Sequence, residues 1–126
     1  MKTPCIASSG NERTPQSRPL AKTYRGWPTP DGRCRVMVSG PNRRECPLRL
    51  RLDLRNHSPT GFEWGYNGSG PAQLALALLA DASEDPATAL RHYQEFKRDV
   101  VAGFGETWTL TTQDIQRFLE CQTEKE

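Results

Sequence analysis

Ser58-Pro-Thr-Gly-Phe-Glu-Trp-Gly-Tyr-Asn-Gly-Ser-Gly-Pro71 runs directly into Ala72-Gln-Leu-Ala-Leu-Ala-Leu-Leu-Ala80. A loop with four glycines and three aromatics thus meets a helix with almost no polar face. Glycine serves where the backbone turns with positive φ or approaches another group closely, and an aromatic beside it needs a surface to pack on. Pro71 suits the first position of a helix capped by Ser69 or Gly70, since its missing N–H would have no partner there. Leucines and alanines from Leu74 to Leu79 cover every side, which predicts a central, largely buried helix.

Before this junction the chain reads as strands. Lys22-Thr-Tyr-Arg-Gly-Trp27 suits a first strand, Pro28-Thr-Pro-Asp-Gly32 a turn, and Arg33-Cys-Arg-Val-Met-Val38 a second strand ended by Ser39-Gly-Pro-Asn42. Leu48, Leu50, Leu52 and Leu54 then alternate with Arg49, Arg51, Asp53 and Arg55, predicting a third strand with its leucines on the core. Its charged face reads as solvated surface, because no aromatics interleave with the arginines to stack bases.

After the junction the chain reads as helices. Asp85-Pro86 opens a second helix to about Ala102, with Gly103 as its stop. Trp108-Thr-Leu110 is a short extended piece, and Thr111-Thr-Gln-Asp114 has capping-box spacing for a final helix carrying Ile115, Phe118 and Leu119. Strands first and helices afterwards predict an α+β fold: a small antiparallel sheet of about three strands in the N-terminal half, packed against about three helices in the C-terminal half. The expected organisation is a flexible tail over 1–20, one domain over 21–122 and a frayed end over 123–126, because the polar ends bury too little to offset their ordering entropy.

Composition narrows the function classes. At 126 residues the chain can bury a core without metal or disulfide support. The apolar run Leu74–Ala80 is too short to span a bilayer and the N-terminus lacks a signal-peptide core, so the expectation is a soluble cytoplasmic protein without membrane contact. Cys5, Cys34, Cys46 and Cys121 form no C-x-x-C pair, and His57 and His92 miss zinc-ligand spacing, so no metal or cofactor is expected. Cys34 and Cys46 could face each other across a hairpin, but buried free thiols are the preferred reading for a reducing compartment.

The net charge of +2 conceals a division: residues 1–55 hold 12 Lys/Arg against 4 Asp/Glu, and residues 56–126 hold 5 against 11. Such a chain can offer a basic face to an anionic partner, nucleic acid included, although neutralisation within the fold is the favoured reading, since an asymmetry along the sequence need not survive in space.

The candidate site residues fall in and before the loop. Gly68-Ser-Gly70 before a helix outlines an anion site but lacks the P-loop lysine and the dinucleotide-binding glycine spacing. His57, Ser58, Glu63, Tyr66 and Ser69 offer acid–base and nucleophile types without a second histidine or a paired carboxylate, so no catalytic residue is assigned. Glu63 between Phe62 and Trp64 either pairs with Arg25 or Arg55, or faces solvent. Phe62, Trp64 and Tyr66 at i, i+2, i+4 share one face if extended, as core if buried or as an interface anchor if exposed. The candidate binding set is His57, Glu63, Trp64, Tyr66 and Asn67, with Arg49, Arg51 and Arg55 on the charged side of the leucine segment.

Asp53-Leu-Arg-Asn-His-Ser-Pro-Thr-Gly-Phe-Glu-Trp-Gly-Tyr66, followed by Gly68-Ser-Gly-Pro-Ala-Gln-Leu-Ala-Leu-Ala-Leu-Leu79, resembles the signature of a family of small bacterial proteins with members in plasmids and phages, known as a domain of unknown function. The likeness extends from Tyr24-Arg-Gly26 through Tyr93-Gln-Glu-Phe-Lys97, Val100-Val-Ala102 and Trp108-Thr-Leu-Thr111 to Asp114-Ile115. Where that family has glycine this chain has Asn67, the next best residue at positive φ. The stretch Pro41 to Arg49 and the N-terminal tail are particular to this chain. The resemblance brings no catalytic residue. It implies an accessory factor of a mobile element that acts by binding a protein or ribonucleoprotein complex, inhibitors of host defence such as anti-CRISPR proteins among them.

Overall fold

Tyr24 stands at the meeting of sheet and helices, and the sheet is built around its strand. The computed structural model describes residues 21–41 and 43–125. The expected tail over 1–20 lies outside the described residues, as do the side chains of 123–126. Strands β1 (Thr23–Pro28), β2 (Cys34–Gly40), β3 (Arg43–Pro47) and β4 (Trp108–Thr111) form one antiparallel sheet in the order β3-β2-β1-β4. The β1–β2 turn falls where proline, aspartate and glycine predicted it, closed by Thr29 N–H to the Arg33 carbonyl at 2.7 Å and Gly32 N–H to the Thr29 carbonyl at 3.0 Å. The short extended piece at Trp108 enters the sheet as a fourth strand beside β1, with Trp108 opposite Gly26. Gly26 is required there: a Cβ would run into the Trp108 indole.

The leucine segment is not a strand. Pairing ends at Pro47, and the ladder uses the basic stretch Arg43–Pro47 instead. Leu48 is buried with its N–H on the Val36 carbonyl at 3.0 Å, but Arg51 takes a left-handed φ of 60° and Leu54 N–H returns to the Arg51 carbonyl at 3.0 Å. This turn leaves Leu52 37% exposed, while Leu50 and Leu54 pack against the core. The physical reason lies in α1: the Gln73 side chain takes the Leu50 and Arg55 carbonyls at 2.7 and 3.0 Å, so the chain curls around that amide rather than extending along β2.

Helix α1 (Ser69–Ser83) is buried on every side from Gly70 to Ala80, as its uniform apolarity predicted. Helix α2 (Pro86–Asp99) starts at Asp85, whose carboxylate accepts from Ala87 N–H at 3.2 Å and the Thr88 hydroxyl at 2.7 Å. It ends earlier than predicted, giving way to a 3-10 turn over Val101–Gly103. Helix α3 (Thr112–Lys125) carries the expected reciprocal cap: Asp114 N–H donates to the Thr111 hydroxyl at 3.2 Å and Thr111 N–H to the Asp114 carboxylate at 3.0 Å. The fold is α+β, with the helices on the sheet face that carries Tyr24, Val36, Val38 and Trp108. No helix among the described residues is long and apolar enough to cross a membrane.

Strand register settles the cysteines. Cys46 lies opposite Val38, and Cys34 opposite Pro28 of the other neighbouring strand, so the two thiols do not face each other. Cys34 and Cys121 are free and exposed rather than buried, and Cys46 is free and half-buried.

At the far end of α1 the Tyr24 hydroxyl donates to the Asp81 carboxylate at 2.7 Å, and Lys22 Nζ lies 3.2 Å from the same oxygen. Burial first, and then that carboxylate, hold the Tyr24 phenol protonated well above its ordinary value of 10.0. Above pH ~10 the unfolded chain releases this proton and the folded chain keeps it, so stability falls with rising pH, by at most ~1.4 kcal/mol per pH unit. Urea titrations above pH ~10 should show a shallower decline for Tyr24→Phe than for the wild type; equal slopes would refute the assignment. Gly26→Ala should lower unfolding stability by about 1–3 kcal/mol, because the indole must leave its rotamer or the strands must part.

Candidate functional site

The loop from His57 to Gly68 takes its shape from Gln73, which is fully buried in the first half of α1. Its amide oxygen accepts from His57 N–H at 2.7 Å and Ser58 N–H at 3.0 Å. With the Leu50 and Arg55 carbonyls on its nitrogen, every hydrogen-bonding position of the amide is used on backbone. One side chain therefore ties two ends of the leucine turn and the start of the loop to the central helix.

The side chains considered for acid–base chemistry are engaged in the same task. His57 Nε2 lies 2.8 Å from the Tyr93 hydroxyl, and the Ser58 hydroxyl donates to the Gly61 carbonyl at 2.7 Å. Among the described residues no group of three His, Cys, Asp or Glu could hold a metal ion.

The aromatic trio does not share one environment. Phe62 is buried, Trp64 is half-buried, and Tyr66 is 47% exposed. Trp64 stands edge-on to Trp108 at 5.5 Å, with its Nε1 donating to the Glu106 carbonyl at 3.3 Å, while Phe104 stacks on Trp108 at 4.6 Å. Gly65, at φ 86°, then turns the chain outward, its N–H on the Val101 carbonyl at 3.1 Å.

That turn presents Tyr66 to solvent with its hydroxyl donating to the Glu63 carboxylate. The bond keeps the Tyr66 phenol protonated above the usual tyrosine range. Glu63 is exposed and pairs with neither arginine proposed for it: Arg25 pairs with Glu45, and Arg55 donates to the Leu54 carbonyl at 2.8 Å. Its side chain lies against Gly70, where a Cβ would come within 2.6 Å of it. The negative charge nearest the positive end of α1 is thus the protein's own. Asn67 is exposed and lies outside the left-handed region; among non-glycine residues positive φ occurs at Arg51 and Glu84.

Arg49 and Arg51 do not join the loop residues, whereas Arg55 meets them through its backbone, its carbonyl sharing the Gln73 amide with the His57 and Ser58 N–H groups. Arg49 and Arg51 line a cleft of about 310 Å3 with Lys22, Asp81 and Glu84 at the C-terminal end of α1, and Arg51 grips Asp53 through two 3.1 Å bonds. Glu63 and Tyr66 sit at the opposite end, roughly 20 Å away along a 15-residue helix. Beside Glu63 opens a groove of about 860 Å3, walled by Asp31, Arg33, Cys34 and Arg35 of the β1–β2 hairpin and by Ser58 of the loop. Sequence reasoning missed Gln73 as the organiser, although it is the lone polar side chain in the run Ala72–Ala80. It also read Trp27 only as a strand former.

Gln73→Leu keeps the volume and strands two N–H and two C=O groups. Urea unfolding should show a loss of about 3–5 kcal/mol, with Gln73→Glu also destabilised because a carboxylate cannot donate to the two carbonyls; a loss under about 1 kcal/mol for Gln73→Leu would overturn the clamp.

No curated protein and no solved structure matches this chain. A model of a family of unknown function, DUF6166, matches residues 24–121. That span takes in the described strands from Tyr24 onward, the Gln73-held loop, α1, α2 and most of α3, and the chain belongs to that family.

Proposed function

We propose that this is a non-enzymatic binding protein that docks onto a protein or ribonucleoprotein complex through the outer edge of its Gly-aromatic loop. The observation that carries the reading is Tyr66: a large aromatic, nearly half exposed, yet held at its hydroxyl by Glu63 and at its base by the Gly65 turn. An aromatic fixed before contact loses little conformational freedom on binding, which is what a strong interface anchor needs. The neighbouring groove offers Arg33 and Arg35 beside Asp31 and Glu63, a mixed-sign rim suited to a polar protein surface. A small-ligand or enzymatic role centred on this loop is less well supported, since His57 and Ser58 already serve the loop itself.

The likeness of the loop signature to small plasmid and phage proteins directs this reading toward an inhibitor of a host defence complex. Inhibition would follow from occlusion of a protein or nucleic-acid site, with no chemistry required.

Immobilised protein should capture a stable complex from a bacterial host lysate, and Tyr66→Ala should weaken capture about tenfold or more while leaving the thermal midpoint within a few degrees. Capture that is absent, or unaffected by Tyr66→Ala, would sink the proposal.

A further inference from the structure

The sheet has two faces, and the helices take one of them. Tyr24, Val36, Val38 and Trp108 point toward the helices and are buried. Strand alternation therefore puts Arg25, Trp27, Arg35, Met37, Glu45 and Thr109 on the opposite face, and none of these is buried.

This face combines cations with an aromatic platform. The Arg25 guanidinium lies 5.4 Å from the centre of the Trp27 ring and also pairs with Glu45. That pairing occupies the one carboxylate among the described strand residues of the face. Among the described residues Arg35 has no carboxylate partner, and Arg33 stands exposed just before β2. Beside Trp27 the surface is hollowed: Arg25, Trp27, Thr107 and Thr109 surround about 410 Å3 above the Gly26–Trp108 backbone. A planar ring entering that hollow would meet an indole and a guanidinium at one side and exposed hydroxyls at the other.

We propose that this open sheet face binds single-stranded nucleic acid, one base lodging against Trp27 with its edge toward Thr107 and Thr109, and the neighbouring phosphates on Arg35 and Arg33. A single strand fits because its bases are free to leave their stack, whereas a duplex hides them. An acidic peptide would use the arginines and leave the aromatic hollow empty. A second copy would bring like charge against like charge. The basic half of the sequence, 12 Lys/Arg against 4 Asp/Glu over residues 1–55, is the half that builds β1 to β3. Arg33 and Arg35 also line the groove beside Glu63, so the two readings share these arginines, whereas Trp27, Thr107 and Thr109 belong to this face and not to that groove.

The test is fluorescence anisotropy of the full chain with labelled oligothymidylate and oligouridylate of about twelve nucleotides. Binding should weaken steeply between low and physiological salt, and Trp27→Ala and Arg35→Glu should each weaken it about tenfold, while Trp27→Phe keeps most of it. Arg98→Glu, an equal charge change on the exposed side of α2, should alter binding less than about twofold, and Tyr66→Ala should leave it unchanged. Because Arg35 is exposed, Arg35→Glu decides the matter even if Trp27→Ala unfolds. The proposal is overturned by no binding to either oligonucleotide at low salt, or by equal weakening from Arg98→Glu. Displacement by polyglutamate at matched charge would assign the face to an acidic protein. Self-association abolished by Arg35→Glu would assign it to a second copy.

Discussion

The amide of Gln73 is the interaction on which the rest of the structure depends. A fully buried primary amide is costly unless each of its donors and acceptors is met. Here all are met by main chain, from Leu50, Arg55, His57 and Ser58. These four groups belong to segments that form no strand or helix of their own. The side chain thus does for them what a neighbouring strand would do, and their irregular path can lie against a buried helix without leaving polar groups stranded.

Once that path is held, α1 separates two polar clusters. At its first turn Glu63 lies against Gly70 and supports Tyr66. At its last turn Asp81 receives Tyr24 and Lys22 from the edge of the sheet. The clusters differ in kind: the first faces outward around an exposed aromatic, and the second ties sheet to helix through a phenol kept neutral by burial. The far end thus fastens sheet to helix, and the loop end is the one that the proposed docking would use.

The indole of Trp108 links the loop to the sheet. It lies over Gly26 on the core side, stacked on Phe104 and touched edge-on by Trp64. The same strand pairing that seats it places Arg25, Trp27 and Thr109 on the other side, so core packing and the open cationic face follow from one register. A slip of one residue would exchange them.

Much of this was legible in the residues themselves. Uniform apolarity over Leu74–Leu79 told that α1 is central; Asp85-Pro86 and Thr111/Asp114 marked two helix starts; proline, aspartate and glycine placed the hairpin turn. These signals act within a few residues, and local chemistry is sufficient to read them. The leucine segment misled for the opposite reason. Its period-two pattern is identical to that of a half-buried strand, and only a glutamine 18 to 23 residues farther along diverts it into a turn. The candidate site was legible as a segment but not as a surface. Period-two spacing put Phe62, Trp64 and Tyr66 together, whereas the Gly65 turn and the Trp64–Trp108 contact bury the first, half-bury the second and expose the third. The sequence by itself determined the α+β class, the central helix and the starts of the two helices after it, because these rest on propensity and pattern; the cap of the central helix falls at Gly68 rather than at Ser69 or Gly70. Tertiary structure alone decided which aromatic is displayed and which arginines share a face, because each depends on contacts between residues that the chain brings together only when folded.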